Sequence, residues 1–250
     1  FGVTPALVLF WPWYELSGCY LLHRDAVVIF CAVGFLAGAG LLVALWRRYF
    51  AEVGVGVVGA CVLAFGLATG TPLLLARSSV YEVAISCGYA FTLLALAGIW
   101  GALHDSRRRE LWLAAASLAY GLAVGARPSL LLGAVILLVP VAQAWHQQRQ
   151  VWSLSLAALG PIALIGLGLM LYNTLRFSDP LEFGQRYQLN DEPKGTMDQF
   201  NLGYLWFNFR VGFLEPARWS VRFPFVRDIA VPPMPKGSSL EHPFGVLTNM

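Results

Sequence analysis

The stretch AVVIFCAVGFLAGAGLLVALW, residues 26–46, carries no charged side chain. A helix needs about 20 apolar residues to cross a bilayer whose hydrocarbon core is about 30 Å thick, so this stretch predicts a transmembrane helix. Five more apolar runs follow, separated by short polar segments, at residues 53–75, 83–103, 111–126, 130–145 and 151–172. We therefore predict an all-α integral membrane protein, a polytopic bundle of about six transmembrane helices.

The overall composition argues against a soluble protein. Of the 250 residues, 58% are hydrophobic and 12% are charged, whereas an ordinary soluble domain has about 45–50% and about 25%. A chain of this length cannot hide so much apolar surface from water. A net charge of +3 gives no indication of a nucleic acid partner. The four cysteines lack the spacing of a metal site or a disulfide framework, so we expect no cysteine metal site.

The apolar runs divide the chain into three predicted regions. Residues 1–25 combine Trp11, Trp13 and a proline, which predicts an extracytoplasmic loop or interfacial segment because aromatic side chains collect at headgroup depth. Residues 26–172 form the predicted transmembrane bundle. Residues 173–250 hold most of the remaining charges and many prolines, and they predict an aromatic-rich extramembrane loop region.

Two shorter elements are predicted inside this last region. The sequence DQFNLGYLWFNFRVGFL, residues 198–214, predicts a short helix that Asp198 caps and that lies on the membrane, since its aromatic residues are too many for a solvated face. Residues 232–237, with three prolines and a glycine, predict an extended loop.

Residues 111–145 allow two interpretations, a hairpin of two crossings or one broken helix. A single helix of about 35 residues would be some 52 Å long at 1.5 Å per residue. Arg127-Pro128 interrupts the run at its midpoint, and a charge next to a helix breaker belongs at the lipid surface. We therefore predict the hairpin.

The distribution of arginines predicts which loops face the cytoplasm. With six alternating crossings, one side receives six arginines in short loops, namely Arg47, Arg48, Arg107, Arg108, Arg109 and Arg149. The other side receives only Arg24, Arg77 and Arg127 before the long region from residue 173. Because positively charged loops stay inside, the second side and residues 173–250 are predicted to be extracytoplasmic.

Each predicted outward junction after a span carries one arginine: Arg77, Arg127 and Arg176. If the three guanidinium groups converge, they form a site for a phosphate or pyrophosphate, since the arginine fork binds phosphate oxygens bidentately and stays charged. The alternative is that each arginine reaches the headgroups of ordinary phospholipids by itself.

Acidic residues accompany these arginines. Glu82, Asp179 and Glu182 lie nearby in the sequence, and a carboxylate beside a guanidinium stays ionised. Glu82 or Asp179 is thus a candidate base for a sugar hydroxyl that attacks an activated anomeric carbon, while the arginines stabilise the departing phosphate. The alternative is a set of structural ion pairs, which we favour for Glu182.

Three segments carry a resemblance to a known group: RSSVYE (Arg77 to Glu82), GLAVGARPS (Gly121 to Ser129) and YNTLRFSDPLEFGQRYQL (Tyr172 to Leu189). They resemble the C-fold membrane glycosyltransferases, the superfamily that contains protein mannosyltransferases and aminoarabinose transferases. More narrowly, most of the chain resembles predicted bacterial membrane proteins placed near that superfamily. Similarity to characterised transferases is confined to these junction motifs and to the helix layout.

The resemblance implies a polyprenyl-phosphate sugar donor, an extracytoplasmic active site in the bacterial inner membrane, and inverting transfer to a lipid, glycan or protein, in some members with a divalent cation. The superfamily places its catalytic acid in an acidic pair in the first extracytoplasmic loop. Here Glu15 lacks an acidic neighbour, and Asp191-Glu192 comes late in the chain. We expect either a base upstream of Phe1 or a member without transferase activity.

The predicted function is therefore a membrane glycosyltransferase in which Arg77, Arg127 and Arg176 hold the donor phosphate, and Glu82 or Asp179 positions a hydroxyl or metal. Two alternatives stay open. The first is a transporter or flippase for a lipid-linked sugar, against which the nearly charge-free runs argue. The second is a non-catalytic membrane protein of envelope assembly.

The predicted orientation can be tested by thiol labelling of intact cells. In a Cys19→Ser background, a Lys194→Cys variant is expected to react with a membrane-impermeant maleimide added outside, because residue 194 lies in the predicted extracytoplasmic region. Ser106→Cys, in a predicted inward loop, is the matched control and is expected to react only after lysis. The reverse pattern would invert the topology.

Overall fold

The computed structural model describes residues 2–68, 70–76, 79–146, 151–182 and 202–216, together with 218–219, 221, 226–227 and 232–233. The chain divides into two compact units, Phe1–Phe183 and Gly184–Met250, and each is described by itself. The predicted site residue Arg77 lies outside the described residues, as do Lys194 and the pair Asp191-Glu192.

The first unit consists of helices. After a π-helical turn, Ala6–Phe10, they are α1 Trp11–Ser17, α2 His23–Tyr49, α3 Val55–Ala68, α4 Thr71–Ala76, α5 Val80–His104, α6 Arg109–Ala126, a 3-10 helix Pro128–Leu138 continued by α7 Val139–His146, and α8 Val151–Phe177. Within the ranges that the structure describes, four helices are long and apolar enough to cross a membrane: His23–Tyr49, Val80–His104, Pro128–His146 and Val151–Phe177. These helices agree with the prediction of an all-α membrane protein.

The order of contacts shows how the chain runs through this unit. The start of α2 shares a buried cluster with the start of α5, through Val27 and Val83, and the ends of the same helices meet where Tyr49 Oη lies 3.2 Å from His104 Nε2. Helices α2 and α5 are therefore parallel, and α3 and α4 lie between them in the sequence. The number of about six crossings stays a prediction.

The predicted second crossing, residues 53–75, is not one continuous helix. Helix α3 has 14 residues, about 21 Å at 1.5 Å per residue, which is less than the bilayer core. Gly70 follows with a φ of 74°, a left-handed conformation that glycine adopts without steric cost and that ends helices. The chain then resumes as the short helix α4.

Residues 4–17 are helical, so the alternative of a loop is wrong for this part of residues 1–25, whereas residues 18–22 lie outside the helices. Phe10 and Trp11 have helical backbone angles, so α1 continues the preceding π-helical turn and Pro12 lies within one continuous helical stretch. Trp11 Nε1 donates to Glu15 Oε1 at 3.1 Å, one turn later. The helix ends at Gly18, whose φ is 68°.

Residues 111–145 form two antiparallel arms, as the predicted hairpin requires, whereas a crossing by each arm stays a prediction because of the two only Pro128–His146 is among the described helices long and apolar enough to span. Arg127 has an extended conformation, with φ −142° and ψ 106°. At one end of the hairpin Tyr120 Oη donates to the Leu130 carbonyl at 3.0 Å, and at the other Arg109 Nη2 donates to the Pro140 carbonyl at 3.3 Å. The two arms are therefore antiparallel. The 3-10 geometry lengthens the second arm to about 34 Å, because its rise is about 2.0 Å per residue.

Helix α6 packs closely against two neighbours. A methyl group on Gly98 of α5 would lie 2.9 Å from the Ala116 side chain, and one on Gly121 would lie 2.7 Å from Ile165 of α8. Small residues let helix backbones approach in this way in membranes. The larger buried cluster of the unit lies around these crossings and includes Leu113 and Leu154.

Ser117 of α6 bonds to the backbone of α8 beside Pro161. Pro161 has no N–H for the Ala157 carbonyl, and its ring perturbs the adjoining turn. The fully buried Ser117 hydroxyl donates to the Ala158 carbonyl at 2.6 Å and accepts from the Ile162 N–H at 3.1 Å. It therefore bridges the two groups that would otherwise bond to each other within the helix.

The second unit contains a helical segment and a small hairpin. A 3-10 turn Leu202–Tyr204 leads into α9 Leu205–Phe209 and a π-helical turn Arg210–Leu214. The prediction of a helix within 198–214 is thus confirmed from residue 202 onward, and the predicted cap Asp198 lies outside the described residues. Strands β1 Arg218–Trp219 and β2 Val226–Arg227 pair antiparallel. Of the predicted loop 232–237, residues 232–233 are described and have no regular structure.

The role of Ser117 predicts a stability loss. Ser117→Ala leaves the Ile162 N–H and the Ala158 carbonyl without their shared partner, and an unsatisfied buried polar group costs about 1–3 kcal/mol. We expect a correspondingly lower free energy of unfolding, measured in mixed detergent micelles. Ser106→Ala, at an exposed loop position, is the matched control and should leave stability unchanged. Equal stability of the two variants would show that the bridge contributes nothing.

Candidate functional site

The candidate residues lie at one end of the first unit, which we call the site end. Here α5 begins, α6 ends and α8 ends. A methyl group on Gly88 of α5 would lie 3.8 Å from Arg127 Cγ, and one on Gly125 of α6 would lie 3.5 Å from Leu169 of α8. The opposite end, where Tyr49 meets His104, is called the far end.

The N-terminal segment covers part of the site end. Thr4 is buried, and its hydroxyl contacts the position that a side chain on Gly125 would occupy. Gly2 lies directly against the carbonyl oxygens of Gly125 and Ala126. These are last-turn carbonyls of α6, so residues 2–4 close the end of that helix next to Arg127.

Glu82 is a buried carboxylate in the first turn of α5, with 8% of its surface exposed. The hydroxyl of Ser79, the residue before the helix, donates to Glu82 Oε2. Carboxylates in the first turn are stabilised by the positive end of the helix dipole. A buried ionisable group in a membrane protein is by default a candidate functional residue.

The sequence contains a local signal for the contact between Ser79 and Glu82. Ser79-Val80-Tyr81-Glu82 has the Ser-x-x-Glu pattern of a capping box at a helix start. In the structure the serine bonds to the glutamate side chain, and no capping bond from the Ser79 side chain to the backbone is present. Glu82 therefore has a local structural role in addition to its candidate chemical role.

Arg127 is exposed and lies in the turn between α6 and the 3-10 helix. Its aliphatic part packs over Gly88 of α5, six residues after Glu82, which is about 9 Å along a helix axis. Among the described residues its guanidinium makes no hydrogen bond or ion pair. Arg127 thus presents an unneutralised charge beside the helix that carries Glu82.

Arg176 binds within the last two turns of its own helix. Its guanidinium donates to Tyr172 Oη at 3.0 Å and lies 4.9 Å from the Phe177 ring centroid. It is exposed, so one side of the planar group is available to a ligand. No described contact joins Arg176 to Arg127, and the predicted convergence of the arginines stays a prediction.

Asp179 is exposed and forms a local turn. Its Oδ1 accepts the Leu181 N–H at 2.9 Å, and the buried Asn173 side chain donates to the Pro180 carbonyl at 3.2 Å. These bonds fold residues 178–181 back on the end of α8. Asp179 therefore has a structural function that its position in the sequence did not indicate.

The far end differs in chemistry from the site end. Asp105 Oδ1 accepts the backbone N–H groups of Arg107 and Arg108 at 3.0 and 3.4 Å, and Oδ2 accepts Trp112 Nε1 at 3.3 Å. The bond from Trp112, followed by those from the backbone, lowers the pKa of Asp105 below its ordinary value. Arg108 is exposed in this loop, and it is a suitable control for the arginines of the site end.

In the ranges that the structure describes, no group of three or more His, Cys, Asp or Glu side chains is placed to hold a metal ion. An open apolar groove lies toward the far end and is lined by Leu138 and by the α7 residues Val141, Ala142, Trp145 and His146. The residues that line this groove are mostly apolar, so few of their groups could bind a phosphate.

Comparison with known proteins gives no match: no family model, curated protein or solved structure is significantly similar to the chain. The resemblance to C-fold glycosyltransferases therefore stays a prediction from the sequence, and the function is argued from the site.

The free charge of Arg127 predicts phosphate binding at the site end. Arg127→Gln is expected to weaken binding of a fluorescent polyprenyl monophosphate about 10- to 100-fold, because a hydrogen bond to a charged group contributes about 1.5–3 kcal/mol. Affinity is measured by fluorescence anisotropy in nanodiscs of neutral lipid. Arg108→Gln at the far end is the control, and equal losses in both variants would refute the assignment.

Proposed function

We propose that this protein is a membrane glycosyltransferase of the C-fold type, which binds a polyprenyl-phosphate-linked sugar at the site end and transfers the sugar to an acceptor. In this proposal the site end faces the extracytoplasmic side of the bacterial inner membrane. The observation that carries the proposal is the buried carboxylate of Glu82 on the same helix against which Arg127 packs.

Arg127 supports binding of the donor phosphate. It lies where α6 ends, and it is exposed and free of ion pairs among the described residues. A guanidinium in this position can bind two phosphate oxygens at once and keeps its charge at any physiological pH. Arg176, at the end of α8, is the second cation proposed for this phosphate, and Arg77 is the third.

Glu82 is the proposed base. In the reaction, a carboxylate oxygen takes the proton of an acceptor hydroxyl as the hydroxyl oxygen bonds to the anomeric carbon. The bond from that carbon to the phosphate oxygen breaks, and the electron pair leaves with the phosphate. Arg127 and Arg176 then stabilise the added negative charge. Ser79 keeps Glu82 oriented by donating to its Oε2.

The hydrogen bonds that Glu82 and Asp179 accept from nearby residues favour a second, non-catalytic function. Glu82 accepts from Ser79 and Asp179 accepts from Leu181, so both carboxylates have structural partners. If neither acts as a base, the arginines bind the lipid phosphate without chemistry. The protein is then a transporter or an assembly protein for lipid-linked sugars.

A paired measurement of binding and transfer separates these functions. Glu82→Gln is expected to lower transfer of radiolabelled sugar from polyprenyl-phosphate donors about 10²- to 10⁴-fold, the usual contribution of a general base, while donor binding is retained. Proteoliposomes with a panel of lipid-linked sugars and a membrane extract as acceptor provide the assay.

The controls distinguish the outcomes. Arg127→Ala is expected to lose both binding and transfer, whereas Glu110→Gln, an exposed acid at the far end, should change neither. Donor binding by the parent protein without transfer of any sugar in the panel would favour the non-catalytic function. Full transfer by Glu82→Gln would exclude Glu82 as the base.

A further inference from the structure

The helical segment of the second unit exposes three aromatic rings on one side. Trp206, Phe209 and Phe213 have 66%, 43% and 42% of their surfaces exposed. Their spacing of three and four residues places them on one face of the helix. We call these three residues the aromatic strip.

The aromatic strip is a continuous apolar surface. The rings of Trp206 and Phe209 stack with their centroids 6.1 Å apart, and those of Phe209 and Phe213 stack at 5.3 Å. Leu205 and Leu214 are also exposed beside the rings. Exposed apolar patches of this kind mark sites of interaction with proteins, ligands or membranes.

The opposite side of the same segment is the inward one. Val211 is only 2% exposed, and Tyr204 and Phe207 are half-buried. The segment therefore has two apolar sides. One side is buried within the protein, and the other, the aromatic strip, is exposed. A solvated helix would carry polar residues on that second side.

We propose that the aromatic strip inserts into the lipid interface of the membrane that the first unit spans. Leu202 follows the end of α8 by 25 residues, so the segment is tethered to a membrane helix and its effective concentration near the bilayer is high. Tryptophan and phenylalanine on one face are typical of helices that lie in the interface.

The charges next to the aromatic strip are compatible with this position. Arg210 forms an ion pair with the buried Glu215, so the charge nearest to Phe209 and Phe213 is neutralised. Arg218, in strand β1, is exposed. A cation a few residues from an inserted apolar face can bind headgroup phosphates, as polybasic segments do near anionic leaflets.

Carbohydrate binding explains the aromatic strip less well. A sugar stacks on a ring through an open flat face. Phe209 gives part of its faces to Trp206 and Phe213, since it stacks on both. Lipid hydrocarbon does not require an open ring face, because it contacts ring edges and ring faces alike.

Photo-crosslinking of the full chain tests the proposal. p-Benzoylphenylalanine replaces Phe209 in one variant and Asn208, an exposed polar residue off the strip, in the control. Each protein is reconstituted into vesicles of phosphatidylcholine and phosphatidylglycerol that contain a tritiated lipid, and is then irradiated. The position-209 variant is expected to form at least about five times more lipid adduct than the control, since the apolar face of an interfacial helix reaches the acyl boundary.

A second variant and a competing ligand distinguish lipid insertion from the other possible roles of the aromatic strip. p-Benzoylphenylalanine at Phe213 should give the same lipid adduct, and size-exclusion chromatography verifies that each variant is folded. Equal lipid labelling at positions 208 and 209 would overturn the proposal. So would an adduct with a second copy of the chain, or loss of the lipid adduct on addition of soluble oligosaccharide.

Discussion

The close approach of α6 to α5 and α8 determines the architecture of the first unit. In hydrocarbon every backbone polar group needs a partner within the protein, and helices associate mainly by close packing of small residues. Gly98 and Gly121 allow this approach, and the hydroxyl of Ser117 bonds to the Ala158 carbonyl and the Ile162 N–H of α8, next to Pro161. Without these contacts the end of α6 would have no defined position relative to its neighbours.

The same contacts determine the geometry of the site end. Because α6 lies against α5, the residue that follows its last turn, Arg127, packs over Gly88 and faces the helix whose first turn carries Glu82. Because α6 also lies against α8, Leu169 is level with Gly125 and Arg176 extends beyond it at the same end of the unit. An exposed cation and a buried acid therefore lie toward the same end of the unit, which is the basis of the proposed function.

The sequence predicted the long helices and the hairpin because apolar length and the Arg127-Pro128 interruption are local signals. It failed where local signals were ambiguous: Pro12 was interpreted as a loop residue although it lies within a helical stretch, and Gly70 was not recognised as a helix end. The bridge by Ser117 depends on a tertiary contact 41 residues away in sequence, which no pattern reveals. For the site, the alternation of predicted crossings indicated a common end of the unit for Arg127 and Arg176, whereas the local bonds of Glu82 and Asp179 depend on side-chain geometry.

We propose that Arg127 and Glu82 belong to one site for a phosphate-linked sugar. The decisive experiment is an electron cryomicroscopy map of the protein in a nanodisc with a bound polyprenyl-phosphate sugar. We expect density for the phosphate against the Arg127 guanidinium, with the sugar on the side of the Glu82 carboxylate. Phosphate density at the far end, against Arg107 and Arg108, would contradict it.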